Sequence, residues 1–289
     1  MVLGWMKIII GIVYVLFWNL YAGLLTMLNM AGPGTFVVLF YHGIPAQHRG
    51  RFARQMDVLL RCATPVRADF AGPIERGVRY VAVTFDDGFQ SFADTALPEL
   101  EKRGIPSTVF VPTAYMGKKP GWVSAAHGKG CNESVMSREQ IIELASHPLV
   151  SVQSHGHRHV RLAGLGDAAL GLELAQSKKI LEALLGCTVT QVAFPFGSFN
   201  RQSLDSAARA GYERAFGILP GGGPCERGDL YMGRIFAQAQ DARIDFKLKI
   251  AGAYRWLPYA VMIKNTLRRG FTSVLRAASA GTQRAPDQV

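Results

Sequence analysis

Two adjacent acids follow an apolar run near residue 85. Residues 81–89 read VAVTFDDGF, so Asp86 and Asp87 stand side by side at the end of a stretch typical of a buried strand. Like charges repel, and a carboxylate near a core is costly unless a positive group meets it. The pair therefore indicates a bound cation or a basic partner.

A pair of histidines supplies further ligands for such a cation. Residues 154–162 read SHGHRHVRL, which places His155 and His159 four residues apart after an apolar run. Neutral imidazole nitrogens bind divalent metals, and one carboxylate completes a face of two histidines and one aspartate with open positions. We predict a metal site in which one aspartate is a ligand and its neighbour takes a proton from bound water.

The elements that position these groups alternate along the chain. The runs that read as strands are 35–42, 80–85, 107–112, 149–154, 190–196 and 213–219, and the helical patterns are 93–104, 137–147, 168–186 and 200–211. Such alternation predicts a mostly parallel sheet, open or closed into a barrel. Reactive groups in these folds sit where strands end, so the acids, the histidines and the AFPFG stretch are expected to meet.

The N-terminus reads as a membrane anchor. No charged residue occurs from Ile8 to Gly32, and a bilayer core takes about 20 apolar residues. A buried helix is the other interpretation of this run. The sequence thus predicts an anchor over 1–32, a catalytic domain over 33–240 and a basic extension over 241–289, which could cover the domain or lie on a membrane surface.

The net charge of +11 suits an anionic membrane surface or nucleic acid. No basic run with interleaved aromatic residues occurs, so no nucleic-acid partner is expected. Lys7 is the one basic residue before the uncharged run, while Arg49, Arg51 and Arg54 follow it. This count favours a cytoplasmic domain, although large domains cross membranes regardless of charge.

The chain resembles the polysaccharide deacetylases, the NodB-homology group of carbohydrate esterase family 4. TFDDG is similar to the first motif of that family, SHGHRHVRL to the second, and AFPFGSFN to the third in its poly-N-acetylglucosamine deacetylase form. The resemblance runs from about Phe36 to at least Phe236. It implies a distorted (β/α)7-type barrel, open on one side for a glycan chain, which the N-terminal transmembrane helix would precede.

The resemblance also implies roles for the acids and histidines. Asp86 would be the catalytic base, and Asp87, His155 and His159 would hold a divalent metal. Zinc is the usual metal of the family, and Co²⁺, Mn²⁺ or Ni²⁺ are accepted by some members.

Four positions depart from the family pattern or replace one of its parts. Gly156 stands where the family has a serine or threonine, and Ala193 stands where many members have an arginine that steadies the catalytic aspartate. Arg234, in YMGRIF, resembles the late arginine of relatives that lack the early one. No leucine–variable–histidine motif follows near the C-terminus, so His42, at the end of the first strand, is the expected general acid.

The implied reaction is hydrolysis of an N-acetyl group on a polysaccharide by metal-bound water. A backbone amide near Phe89 or Phe196 would help to stabilise the oxyanion. The implied groove wall consists of Phe194, Pro195, Phe196 and Gly197.

Two alternatives remain open: a deacetylase or deformylase of a lipid-linked sugar, and a catalytically weakened glycan-binding protein on the same fold. The resemblance places the domain outside the cytoplasm, tethered in a bacterial envelope by its single anchor. The charge count favours the opposite side.

Overall fold

The structure, a computed structural model, describes residues 2–27, 33–122, 133–220, 230–258 and 260. The chain divides into two compact units, Met1–Tyr254 and Arg255–Val289, and the elements below belong to the first. The first helix, α1, spans Val2–Met27. Within the part of the chain that is described, no helix combines the length and apolar character that crossing a membrane requires, so the predicted span is not confirmed.

The core of the fold is one parallel sheet. Its strands are β1 (Thr35–Tyr41), β2 (Thr64–Val66), β3 (Arg79–Phe85), β4 (Ser107–Val111), β5 (Val150–Ser154), β6 (Gln191–Ala193), β7 (Arg214–Phe216), β8 (Tyr231–Met232) and β9 (Ile235–Phe236). Their order is β8-β7-β6-β5-β4-β3-β1-β9, with β2 paired to β3 beside this path. Every pair is parallel, which confirms the predicted α/β class.

The sheet curls into an incomplete barrel. Strands β8 and β9 form its two ends, yet only Gly233 and Arg234 separate them along the chain. Because two residues span less than about 11 Å, the two edges must come close to each other. Arg234 therefore lies at the seam of the barrel, where its side chain can enter the interior.

Helices cover the sheet. After α1 they are α2 (Arg49–Cys62), α3 (Leu97–Glu101), α4 (Arg138–Ala145), α5 (Asp167–Leu185), α6 (Arg201–Arg209) and α7 (Arg243–Ile250). A capping box begins α4, because Ser137 accepts from the Gln140 amide and the Gln140 side chain accepts from the Ser137 amide. Helix α5 ends at Gly186 in the left-handed conformation that favours glycine.

The longest strands are buried on both faces. All seven residues of β1 and the last six of β3 are buried, as expected for parallel strands with helices outside and side chains filling the interior. The three strands that the sequence did not predict, β2, β8 and β9, have two or three residues each, too short for a recognisable pattern.

Candidate active site

The end of β3 directs both acids into one cavity. The Asp86 amide donates to the Tyr41 carbonyl at 2.9 Å, which continues the pairing of β3 with β1. Asp87 then adopts φ 66° and Gly88 φ 60°, so the chain bends immediately after the strand. Alternation would send the two side chains to opposite faces, and the bend brings both to the same cavity.

The end of β5 carries the two histidines on a loop that α5 holds. The Ser177 hydroxyl donates to the Gly156 carbonyl at 2.9 Å, and the buried Glu173 carboxylate accepts from the Arg158 amide and from its side chain. Gly156 has φ 73°, and a Cβ there would lie 3.4 Å from Glu173 Oε1. The loop thus uses glycine where relatives have a hydroxyl, and α5 supplies the anchoring groups.

Three candidate ligand atoms converge at this point. Asp87 Oδ1 lies 3.1 Å from His159 Nε2 and 3.6 Å from His155 Nε2. All three ligand atoms lie within 4.8 Å of one another. Metal–ligand bonds of about 2.0–2.1 Å would place tetrahedral ligand atoms roughly 3.3 Å apart, so the two distances from Asp87 leave room for a divalent metal ion.

The chemistry of the donor set also fits a cation. His155 Nδ1 contacts the Ala193 carbonyl at 2.8 Å, so this nitrogen is the donor and the lone pair of Nε2 faces Asp87. Asp87 Oδ1 is buried and, among the described residues, has no hydrogen-bond partner. The His155 Nε2 lone pair and the unsatisfied Asp87 oxygen are both electron-rich and buried, which is unfavourable without a cation. A metal ion between the two atoms would stabilise them.

The electrostatics keep Asp87 and His155 in their metal-binding forms. Burial alone raises the pKa of Asp87, but the contacts with His159 and His155 outweigh it and lower the pKa to about 2. Burial lowers the pKa of His155 to about 4, so its imidazole is neutral at pH 7. An ionised carboxylate and a neutral imidazole are the species that bind divalent metals.

Asp86 is paired with Arg234 instead of with the histidines. Arg234 Nη1 and Nη2 donate to the two Asp86 oxygens at 2.7 and 2.8 Å, and both residues are buried. Nη1 also donates to Thr84 Oγ1, and Nε donates to the Gly217 carbonyl. Burial raises the pKa of Asp86, but attraction to Arg234 and His155 outweighs it and holds the pKa below its usual value.

The cavity around these groups has a volume of about 340 Å³ and largely aromatic walls. Trp122 stacks on His159 with ring centroids 3.8 Å apart, and the Phe196 ring meets His159 edge-on at 4.6 Å. The described lining residues are Phe40, His42, Asp86, Asp87, Trp122, His155, His159, Phe196, Ile218 and Phe236.

The residues predicted from the sequence divide into two groups. The acids, the two histidines, His42 and Phe196 line the cavity, and Arg234 reaches it through Asp86. Phe89, Phe194, Pro195 and Gly197 are not among the described lining residues. Phe89 and Phe194 are buried in the core, so Phe196 is the aromatic side chain of its stretch that faces the cavity.

Backbone strain is concentrated at this cavity. Among the described residues, three other than glycine have left-handed φ angles: Asp87 at 66°, His159 at 53° and Phe196 at 57°. All three line the cavity. Such conformations cost about 1–3 kcal/mol each and persist where the surrounding structure enforces them, most often at functional sites.

Several lining or supporting residues carried no signal in the sequence. Phe40 and Phe236 are register partners on β1 and β9, and Ile218 follows β7. Glu173 lies within an ordinary helical pattern, as does Ser177. Their roles depend on the packing of distant segments, and the sequence around each of them resembles any buried strand or helix.

The fold and site define a curled parallel α/β domain with a candidate metal-ligand set at the carboxyl ends of its strands. Residues 74–215 match the family model described as polysaccharide deacetylase. The solved structure of IcaB from Ammonifex degensii superimposes with a TM-score of 0.64 and 26% identity, covering 78% of this chain and 98% of that one. Residues 74–215 therefore carry a polysaccharide deacetylase domain.

Curated relatives match the same region. YxkH of Bacillus subtilis is 29% identical over 155 residues, which cover 54% of this chain and 50% of the relative. The poly-beta-1,6-N-acetyl-D-glucosamine N-deacetylase of Staphylococcus aureus is 24% identical over 165 residues, which cover 54% of each protein. The chain therefore spans about half the length of these relatives.

Proposed function

We propose that this protein is a metal-dependent hydrolase that removes N-acetyl groups from a polysaccharide. The observation that carries the proposal is the convergence of Asp87, His155 and His159 beside the buried pair of Asp86 and Arg234. The family domain and the name of the Staphylococcus aureus relative support an amide of an N-acetylated sugar as the substrate.

Asp87, His155 and His159 would hold the metal, expected to be zinc. A divalent metal there would supply a Lewis acid for the acyl oxygen and would lower the pKa of water to about 7. Asp86 stays ionised and accepts a proton from the attacking water, while the fork of Arg234 fixes the orientation of the carboxylate. His42, on the wall of the same cavity, donates a proton to the departing amine.

The walls suit a sugar ring. Trp122, Phe196 and Phe236 present aromatic surfaces around the candidate metal site, and such surfaces suit the apolar faces of sugar rings. Placement of the domain outside the cytoplasm, beside an exported polysaccharide, is part of this proposal and rests on the family resemblance.

The weakened binding protein is the less favoured alternative. The early arginine of the family is missing at Ala193, but Arg234 contacts Asp86 with both terminal nitrogens. A protein that had lost catalysis would have no reason to keep a buried acid in this geometry beside a metal-ligand set.

The test compares variants for metal content and turnover on N-acetylated β-1,6-glucosamine oligomers. We expect Asp87→Ala and His155→Ala to lose bound metal and activity, and Asp86→Asn to keep the metal and lose turnover. His48→Ala, outside the cavity lining, is the matched control for the histidine change.

Full activity in all three site variants, or in wild-type protein treated with a chelator, would contradict the proposal. Turnover only on lipid-linked sugars would favour that alternative substrate.

A further inference from the structure

A second cavity lies between α2 and the segment that leads into α7. Its volume is about 460 Å³, and it shares no described lining residue with the active-site cavity. The lining residues are Arg51, Arg54, Gln55, Asp57, Val58, Arg61, Ala239, Gln240, Asp241, Ala242, Arg243 and Phe246.

The floor of this cavity is fixed by buried side chains. Gln55 donates to the Gln238 carbonyl at 2.6 Å and accepts from the Tyr41 hydroxyl at 3.1 Å. Phe246 packs beside it and is fully buried. Because hydrogen bonds fix the Gln55 side chain and Phe246 is fully buried, this concave surface is preformed.

Four arginines surround this floor, three from α2 and one from the start of α7. Arg51, Arg54 and Arg61 are spaced so that they lie along one face of α2, and Arg243 stands on the opposite wall. Each of the four is exposed, and none makes an ion pair within 4 Å with any carboxylate that the structure describes.

The two acids of the lining already have other basic partners. Asp57 accepts from Arg103 at 2.8 Å, and Asp241 is paired with Lys249. Neither Arg103 nor Lys249 lines the cavity. The positive charge of the four arginines is therefore left for a ligand, and guanidinium forks match the oxygens of phosphate groups.

Helix α1, which exposes apolar side chains, packs against α7. Helix α1 packs on α7 and the residues after it: Lys7 Nζ lies 4.2 Å above the Tyr254 ring, and a Cβ on Gly11 would lie 3.1 Å from that ring. The exposed apolar side chains of α1 include Met6, Ile9, Val13, Leu16, Phe17 and Leu20. Helix α7 thus has the arginine cavity at its start and the apolar helix near its end, about 12 Å away.

We propose that the arginine cavity binds a phosphate group, and that the headgroup of an anionic phospholipid supplies it. A cationic cavity beside an exposed apolar helix is the combination that binds at an anionic membrane surface. This proposal is independent of the reaction assigned to the active site.

The test measures binding of the full-length protein to vesicles of phosphatidylglycerol in phosphatidylcholine, and to phosphatidylcholine alone, at 0.15 M salt. The triple variant Arg51→Gln, Arg54→Gln, Arg243→Gln should bind anionic vesicles at least about tenfold more weakly than wild type. The control variant Arg76→Gln, Arg138→Gln, Lys179→Gln removes the same charge from exposed positions outside the cavity and should bind nearly as well as wild type. Thermal unfolding checks that both variants fold.

A soluble arm identifies the source of the phosphate. Calorimetric titration with millimolar glycerol phosphate, without vesicles, should show binding to wild type that the cavity variant loses. Such binding by a protein that does not bind anionic vesicles would assign the phosphate to a free ligand and overturn the lipid headgroup as its source. Vesicle binding that glycerol phosphate reduces in wild type, and that the cavity variant alone loses, would support the lipid headgroup. Equal losses in both triple variants would show an effect of net charge and overturn the proposal, as would the absence of binding in both arms.

Discussion

Arg234 holds both carboxylate oxygens of Asp86, at 2.7 and 2.8 Å, although 148 positions separate the two residues in the chain. Three aromatic rings, those of Phe40, Phe110 and Phe216, surround the guanidinium at 4.6 to 5.6 Å. The guanidinium is thus fully buried between these rings and the carboxylate. The pair at the seam of the barrel thus fixes the orientation of the Asp86 carboxylate.

Replacing Arg234 by lysine keeps the charge and removes the two-pronged contact. We expect kcat/KM to fall on the order of 100-fold, because a base displaced by about 1 Å loses its alignment. Metal content should not change. The control is Arg214→Lys, which alters an arginine that donates to the carbonyls of Ala68 and Phe70. Unchanged turnover in Arg234→Lys would show that the fork does not position the base.

Glu173 should affect the metal through the loop between the two histidines. Glu173→Gln removes the charge that accepts from Arg158, so we expect the metal to bind about tenfold more weakly. Saturating metal should restore most of the activity, which a general loss of stability would not allow. Glu182→Gln, on the same helix and away from the site, is the control. Equal metal affinity in the two variants would contradict the positioning role.

His42 should act on the leaving group alone. His42→Gln should lower kcat on an N-acetyl sugar by about 100-fold or more and leave metal content intact. An acetate ester of an acidic phenol needs little protonation of its leaving group, so the variant should hydrolyse it almost as fast as wild type does. His48→Gln serves as the control. A similar loss on both substrates would exclude His42 as the general acid.

Glu99 should make the stability depend on pH in the acid range. Contacts with Arg49 and Arg103 outweigh burial and lower its pKa from 4.5 to about 2. Because the pKa is lower in the folded state, the stabilisation is present above pH 4.5 and disappears as pH falls towards 2.

Urea unfolding of Glu99→Gln checks this dependence. The variant should lose about 1 kcal/mol at pH 7, since partly solvated ion pairs contribute little, and the difference should vanish near pH 2. Glu143→Gln, on the exposed side of α4, should show no such dependence. A constant difference across this range would contradict the assignment.

The predictable part of the fold consists of elements with local signals. Buried parallel strands leave continuous β-branched runs, and Ser137 with Gln140 marks a helix start by side-chain chemistry alone. The convergence of Asp87, His155 and His159 followed from their positions at strand ends, because parallel strands bring those ends to one edge.

The parts that could not be predicted depend on long-range packing. Glu173 became a support of the histidine loop only because α5 packs against β5. Phe194 was expected on the groove wall and is buried, because the chain turns after β6 and exposes Phe196 instead. Trp122 carried no decisive signal in the sequence, because its stacking on His159 depends on contacts between distant segments.

The seam between β8 and β9 also bears on how the protein is made. Among the described strands, β9, which pairs with the outer edge of β1, is the last to leave the ribosome, and the residue before it is the arginine that neutralises Asp86. Until that segment emerges, the nascent sheet has an unprotected edge and an uncompensated acid in its interior. We expect the domain to complete its folding late in translation and to depend on chaperones until then.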